Sequence, residues 1–407
     1  MTRTQTLPPS AIAATRRIPA AARVFLSLLE RLQHGHLRLR TPDGRWLEFG
    51  SSGADRLCAE LHLHDWRACG QILSAGDIGL AHAWRDGQID SPDPTALLRL
   101  AIRNDAVLQQ ALFGTWLARS WFWLQHRLRP NSRTGSRKNI HAHYDLGNAF
   151  YRLWLDESMT YSAACFDGDH SRPLAQAQAA KYQRIIDLLD LQPGQRVLEI
   201  GCGWGGFAHH AARQGIAVHG VTISPAQLQW AQQRLRADGL DDLARLELCD
   251  YRQLQGQYDA IVSIEMFEAV GQAYWPGYFQ TLRQRLRPGG KAVVQSITID
   301  ERHFARYRES SDFIREFIFP GGMLPSPQRL VEAAQWQGLQ HLHTHAFGAD
   351  YAQTLRRWRA AFVQQRDAIA AQGFDESFLR LWLLYLCYCE AGFDEGRTDV
   401  CHFVLQA

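Results

Sequence analysis

Between residues 20 and 32 the apolar positions Val24, Leu26, Leu28, Leu29 and Leu32 recur at helical spacing, with Arg23 and Arg31 between them. This predicts an amphipathic helix. Residues 37–49 alternate apolar and polar around Thr41-Pro42-Asp43-Gly44, the mark of a hairpin, and residues 59–66 alternate again. Helical spacing returns over residues 73–84 and 92–102, with Asp86-Gly87 as a turn between them. The first hundred residues thus read as a small mixed α/β domain. Further on the pattern changes to short apolar strands (195–200, 217–223, 245–249, 258–264 and 291–299). Helical stretches (181–191, 225–238 and 274–286) alternate with them, and Arg287-Pro288-Gly289-Gly290 is a turn. Such alternation builds a parallel sheet whose ligands sit at the carboxyl ends of the strands.

Composition narrows this picture only slightly. A chain of 407 residues with 46% hydrophobic residues can build two domains with a sizeable core. The net charge of +3 demands no polyanionic partner, so nucleic acid is not expected. The eight cysteines form no Cys-x-x-Cys pair and no zinc spacing, and are expected to be reduced thiols in a cytoplasmic protein. No apolar run spans a bilayer; the longest, 381–389, is closed by Arg380 and Glu390. Basic and aromatic residues do cluster in one place. Residues 112–128 carry Trp116, Trp121, Phe122 and Trp123, and residues 129–139 carry Arg129, Arg133, Arg137 and Lys138. Such a segment suits a peripheral position on an anionic membrane face, and equally an interdomain helix with a solvated linker.

The chemistry centres on residues 196–206. Val197, Leu198 and Ile200 form a buried strand, and Gly201, Gly203 and Gly205 follow at alternate positions before a helical stretch. Glycine in a strand-to-helix turn lets backbone approach a ligand closely. Glu199 can orient that turn or an ammonium group. The second strand ends in Thr222, Ser224 and Gln227 rather than in the acid that usually holds a dinucleotide ribose. Asp250-Tyr251-Arg252 after the third strand is an adenine contact or an ordinary helix cap. Glu265 and Glu268 follow the fourth strand. Glu268, among apolar residues, must be paired, protonated or used, whereas Glu265 reads as a salt-bridge partner. His341, His343 and His345 would share one face of a strand, but no acid cluster accompanies them and no metal is expected.

Glu199-Ile200-Gly201-Cys202-Gly203-Trp204-Gly205 resembles the first motif of S-adenosylmethionine-dependent methyltransferases. From residue 143 onward the chain resembles the cyclopropane-fatty-acyl-phospholipid synthase family, which includes the mycolic acid cyclopropane synthases. The motifs are His143-Tyr144-Asp145-Leu146-Gly147-Asn148, Met159-Thr160-Tyr161-Ser162, Phe267-Glu268, Phe319-Pro320-Gly321-Gly322, Gly348-Ala349-Asp350-Tyr351 and Tyr388-Cys389-Glu390. The N-terminal part resembles the family more loosely, at Gly76-Asp77-Ile78-Gly79 and Ser91-Pro92-Asp93.

The resemblance implies a Rossmann-like class I methyltransferase sheet with helical lid insertions, plus a smaller N-terminal α/β domain. Its boundaries would be 1–128 for the accessory domain with the Trp-rich helix, 129–142 for a basic linker and 143–407 for the catalytic domain. It implies methylene transfer from S-adenosylmethionine to a cis double bond of a phospholipid acyl chain at the inner face of the membrane, by a possible homodimer. S-adenosylmethionine would lie against Tyr161, Ser162, Glu199, Gly201, Gly203, Gly205, Thr222, Ser224, Gln227, Tyr251 and Arg252. A bound bicarbonate ion would be the base, held by Glu268, Tyr351 and backbone amides near Ala163 and Ile297. The aromatic run 313–319, Trp358 and Tyr385 would line an acyl tunnel, and Cys389 would stand in its wall. Two positions depart from the family's pattern: Ala163 replaces a cysteine, and Gln295 replaces a histidine. An amide does not titrate near neutrality, so Gln295 bears on the pH profile and on the product. The alternatives are a methyltransferase that yields a methyl-branched or alkenyl chain, and a non-catalytic lipid-binding relative.

Overall fold

The computed structural model describes residues 18–51, 57–112 and 146–407. The Trp-rich segment, the basic linker and the His143-Tyr144-Asp145 motif lie outside the described residues. The chain divides into two compact units. One comprises Met1–Arg127, Ser310–Ile318 and Arg366–Glu395, and the other Leu128–Glu309, Phe319–Gln365 and Gly396–Ala407. Two segments that a linear reading gives to the catalytic domain therefore belong to the N-terminal unit.

In the N-terminal unit, the helix Ala20–Leu29 buries Phe25, Leu26, Leu28 and Leu29. Val24, expected on that face, is exposed, because Phe25 takes the inward position. Strands β1 (His36–Arg40), β2 (Trp46–Gly50), β3 (Cys58–Leu63) and β4 (Ile89–Asp90) form a sheet of order β2-β1-β3-β4. The β1–β2 hairpin turns where expected, with Thr41 N–H donating to Arg45 O. The helix Arg67–Arg85 is interrupted at Gly76 (φ 59°, ψ −129°), where the sequence pattern predicts an unbroken helix. The polar reason is adjacent: the Asp77 carboxylate accepts from its neighbour Ile78 N–H, from Phe313 N–H and from Tyr388 OH. The helix Glu376–Asp394 is tied to this unit by Arg380, which donates to Trp84 O and Ile89 O. Glu395, just beyond it, accepts from Arg99 and Arg103.

The second unit is a seven-stranded sheet of β5 (Arg196–Ile200), β6 (Ala217–Thr222), β7 (Ala244–Leu248), β8 (Tyr258–Ile264), β9 (Leu286–Ile299), β10 (Gln340–Ala346) and β11 (Thr398–Gln406). Its order is β10-β11-β9-β8-β5-β6-β7. Neighbours from β9 to β7 are parallel, and β11 runs antiparallel between β9 and β10. Both faces are apolar. Leu198, Ile200, Ile261 and Val294 pack into one layer, and Val197, Ala260, Val262 and Val293 into the other. This is why these strands read as continuous apolar runs. The strand order reverses between β5 and β8, which opens a crevice at their carboxyl ends. Gln295 lies opposite Ile264, so β9 carries its amide to the rim where β8 ends.

Candidate active site

The turn after β5 is glycine-dependent for a local reason. Gly203 has φ +51°, and a Cβ there would meet nothing within 4 Å, so its backbone faces open space. Gly205 and Gly206 serve packing instead: a Cβ at Gly205 would meet Ala231 Cβ at 2.9 Å, and one at Gly206 would overlap Tyr182 OH. Glu199 at the end of β5 is buried, and its Oε2 has no hydrogen-bond partner. Desolvation pushes its pKa well up, against the opposing charge of Lys181. A buried acceptor without a donor costs free energy unless a ligand supplies one. At the end of β6, Thr222, Ser224 and Gln227 are all buried. Ser224 caps the helix Pro225–Ala237 by accepting from Gln227 N–H, and Thr222 Oγ1 donates to Gln227 Oε1 at 3.3 Å. These groups fit a ligand that carries a cationic amine and hydroxyls across the glycine turn. After β7 the capping reading holds: Asp250 accepts from Arg252 N–H, Nε and Nη2 at 3.0, 2.8 and 2.6 Å. Arg252 is thus engaged by Asp250, while Tyr251 meets Tyr278 edge to face.

At the end of β8 the structure assigns roles differently from the motif reading. Glu265 sits at φ 48°, in the left-handed region that non-glycine residues rarely adopt. Its Oε1 accepts from Ala163 N–H at 2.8 Å and Gln295 Nε2 at 2.7 Å, and its Oε2 accepts from Tyr351 OH at 2.7 Å. Tyr351, Ala163 and Gln295 are therefore gathered around Glu265 and not around Glu268. Glu268 Oε1 accepts from Ile297 N–H at 2.5 Å and Ser296 Oγ at 3.1 Å, and its Oε2 is buried without a partner. Ile297 alone of the expected group meets Glu268. The expectation that Glu265 is merely a salt-bridge partner is corrected by its three hydrogen bonds.

Each donor to Glu265 is itself held. Ala163 lies in a loop whose next amides, Ala164 N–H and Phe166 N–H, donate to Thr354 Oγ1 and Asp350 Oδ2 on the helix Gly348–Gln364 that also carries Tyr351. The replacement of cysteine by Ala163 leaves the amide contact intact. Gln295 is fully buried, and its Oε1 accepts from His402 Nε2 at 2.9 Å across the β9–β11 pairing. That bond fixes which end of the amide faces Glu265. Burial holds His402 well below the ordinary imidazole range, so it stays neutral. Lys181, fully buried on the helix Leu174–Leu188, donates to Ser162 Oγ and, at 2.9 Å, to Gln178 Oε1. Desolvation lowers its pKa to about 8, and the charge of Glu265 is the largest influence in the other direction.

The two carboxyl groups differ. Desolvation raises both. For Glu265 the Ala163 amide, Lys181, Tyr351 and Gln295 all favour the charged form. Glu268 is pushed up to about 8 by burial and then by the charge of Glu265. Of this pair the surroundings of Glu265 favour its charged form, and Glu268 is the acid that keeps its proton at neutral pH. A separate bicarbonate ion does not fit these residues. The Ala163 amide and Tyr351 hydroxyl that would bind it are already donated to a carboxylate, and a second anion against Glu265 would be repelled.

An aromatic cluster adjoins the loop. Tyr161 lies 5.5 Å from Tyr151, 5.5 Å from Trp154 and 5.3 Å from Trp358 between ring centroids, and Tyr151 lies 5.0 Å from Trp204. Aromatic faces stabilise a cation without reacting with it. Residues 313–318 and Tyr385 belong to the N-terminal unit, and Trp358 to this one. Cys389 stands on the helix Glu376–Asp394, with its thiol pKa pushed well up by burial, which makes it a poor nucleophile. The register shift between His341 and His343 breaks the common face expected of the three histidines. No metal-binding cluster occurs among the described residues, and no helix among them is long and apolar enough to cross a membrane.

The sequence pattern ranks Glu265 below Glu268 and does not single out Lys181 or His402. A charged residue where a strand meets the glycine crevice was the available signal for Glu265. Nothing local marks Lys181 or His402, whose burial is set by tertiary packing.

A family model for mycolic acid cyclopropane synthetase matches residues 131–403. A tuberculostearic acid methyltransferase of Mycobacterium tuberculosis is 39% identical over 396 residues, covering 95% of this chain and 91% of that protein. The cyclopropane-fatty-acyl-phospholipid synthase of Escherichia coli K12 is 39% identical over 337 residues, covering 79% and 81%. A mycolic acid cyclopropane synthase solved with SAH and CTAB superposes with a TM-score of 0.62 at 32% identity, covering 67% of this chain and 98% of that one. Coclaurine N-methyltransferase, with a TM-score of 0.62 at 19% identity over 82% of this chain and all of its own (100%), shares the fold alone. The seven-stranded sheet is thus the class I methyltransferase sheet expected from the sequence.

Proposed function

Because the chain belongs to the mycolic acid cyclopropane synthetase family, we propose that it transfers a one-carbon unit to the cis double bond of an unsaturated phospholipid acyl chain and closes a cyclopropane ring. It is an S-adenosylmethionine-dependent methyltransferase of that family. When bound, S-adenosylmethionine supplies an electrophilic methyl group. Glu199, with its unpartnered buried oxygen, would accept from the ligand's ammonium group, and Gly203 gives the backbone room to approach it. Thr222, Ser224 and Gln227 offer polar atoms for its hydroxyls. An alkene is a weak nucleophile, so the chain's contribution is to hold the partners in line and keep water away. Tyr161, Trp358 and their neighbours suit the positive charge that develops on the acyl chain. A substrate of this kind resides in a bilayer, so the protein is proposed to work at a membrane surface.

The observation that carries this reading is the buried carboxylate of Glu265 at the crevice between β5 and β8, beside the glycine turn and the aromatic cluster. The test is to incubate the protein with S-adenosylmethionine and vesicles of cis-unsaturated phospholipid. Mass spectrometry should show acyl chains heavier by one CH2, and proton NMR should show ring protons in place of vinyl protons. No gain with any cis-unsaturated lipid would refute it. A second reading, a methyl-branched or alkenyl product, is favoured by Gln295 and by the extent of the likeness to the tuberculostearic acid methyltransferase. NMR separates the two, because a branched product lacks ring protons.

A further inference from the structure

We propose that Glu265 is itself the base of the reaction and occupies the place that a bound inorganic anion would otherwise fill. The proposal rests on the one-carbon transfer described above and identifies the group that completes it. Three observations carry it. First, the carboxylate is bound by the donors expected for the ion, Ala163 N–H and Tyr351 OH, and by Gln295 Nε2, all within 2.8 Å. Second, the residue adopts a left-handed backbone at φ 48°, which costs about 1 kcal/mol for a non-glycine side chain. Strain of this kind is kept where the surroundings over-determine it, often at functional sites. Third, the donors are locked from behind, Gln295 by His402 and the 163–166 loop by Thr354 and Asp350. A carboxylate meant only for an ion pair needs no such frame, and Lys181, the cation nearest in effect, bonds Ser162 and Gln178 rather than Glu265.

The proton balance is simple. After one-carbon addition the acyl chain carries a cationic carbon. A C–H bond of the newly added methyl group, which sits on the carbon next to the cation, breaks; its electron pair forms the C–C bond that closes the ring, and the proton passes to a Glu265 oxygen. Water then removes that proton, and no exogenous base is consumed. Glu265 is the catalytic residue in this step; Gln295, His402 and Tyr351 are positioning residues. The groups facing the carboxylate are Lys181, Glu268 and Tyr351.

The experiment uses sodium bicarbonate as the probe, in buffer stripped of carbon dioxide, with wild type and Glu265→Gly. Glycine suits φ 48°, so this variant relieves backbone strain rather than adding it. Calorimetry needs no lipid and no turnover. It should show no bicarbonate binding to wild type and measurable binding to Glu265→Gly, whose Ala163 and Tyr351 donors are released. In turnover, stripping should leave wild type unchanged. The variant should lose activity by on the order of a hundredfold, with partial recovery when bicarbonate is added. Equal heats in the two proteins, or wild-type turnover that falls on stripping and returns with bicarbonate, would overturn the proposal. The calorimetric arm stands even if the lipid reaction itself is not found, so the two failures can be told apart.

Discussion

Replacing Tyr351 by Phe deletes one oxygen and leaves the ring in place. The lost interaction is a 2.7 Å hydrogen bond to a buried carboxylate. A hydrogen bond to a charged group contributes about 1.5–3 kcal/mol, so losing it raises the Glu265 pKa. The sign is fixed by the chemistry. Glu265 must be ionised to take a proton, so activity falls as the pH drops through its pKa. Removing a donor that favours the charged form moves that acid limb upward. The assay is kcat/KM for S-adenosylmethionine against pH at saturating lipid, which reports the lipid-bound enzyme before S-adenosylmethionine binds. Lys181 and Glu268 remain in place in both proteins. On the acid side wild type and Tyr351→Phe should differ by about 10- to 100-fold. Above the shifted limb they should converge. A uniform loss across the whole pH range would refute the reasoning, because it would make Tyr351 a packing residue with no influence on the base.

The remaining expectations use other parts of the site. Lys181→Met should move the acid limb in the same direction, since it removes the positive charge that opposes protonation of Glu265; an unmoved limb would show that this charge is screened. Glu268, protonated when folded and held up to about 8, contributes stability that is full below the ordinary carboxylate pKa and is lost as the pH rises towards 8. Glu268→Gln, which mimics the protonated form, should therefore melt several degrees above wild type at pH 8 and close to it at pH 4.5. Gly203→Ala should weaken binding of S-adenosylhomocysteine at least tenfold for about 1 kcal/mol of stability, because its Cβ enters the ligand's space from a left-handed residue. Gly206→Ala should instead lower the melting temperature, since its Cβ would strike Tyr182 OH.

The sheet was legible because its signals are local. The apolar runs of β5, β6, β8 and β9, the glycine turn and the Ser224-Pro225 helix start each depend on near neighbours in sequence. The interruption at Gly76 was not legible, because the apolar spacing continues through it and the cause is the long-range bonding of Asp77 to Phe313 and Tyr388. The return of residues 310–318 and 366–395 to the N-terminal unit is likewise tertiary. In the site, the motif led to Glu268, while the direction of the Glu265 side chain follows from a φ value that periodicity does not encode. Gln295 looked like the loss of a titrating group; its partner His402 lies 107 residues away on β11 and became its neighbour only through strand pairing.

The most direct measurement follows the transferred carbon itself. Protein is incubated with S-adenosylmethionine bearing a trideuterated methyl group and with cis-unsaturated phospholipid, and the product chains are counted for deuterium. Chains that have lost the alkene and carry a ring methylene with two deuterons, the third having gone to the base, are the expected result. Acyl chains that retain the alkene and carry no deuterium, under conditions where the protein binds the labelled donor, would contradict the account.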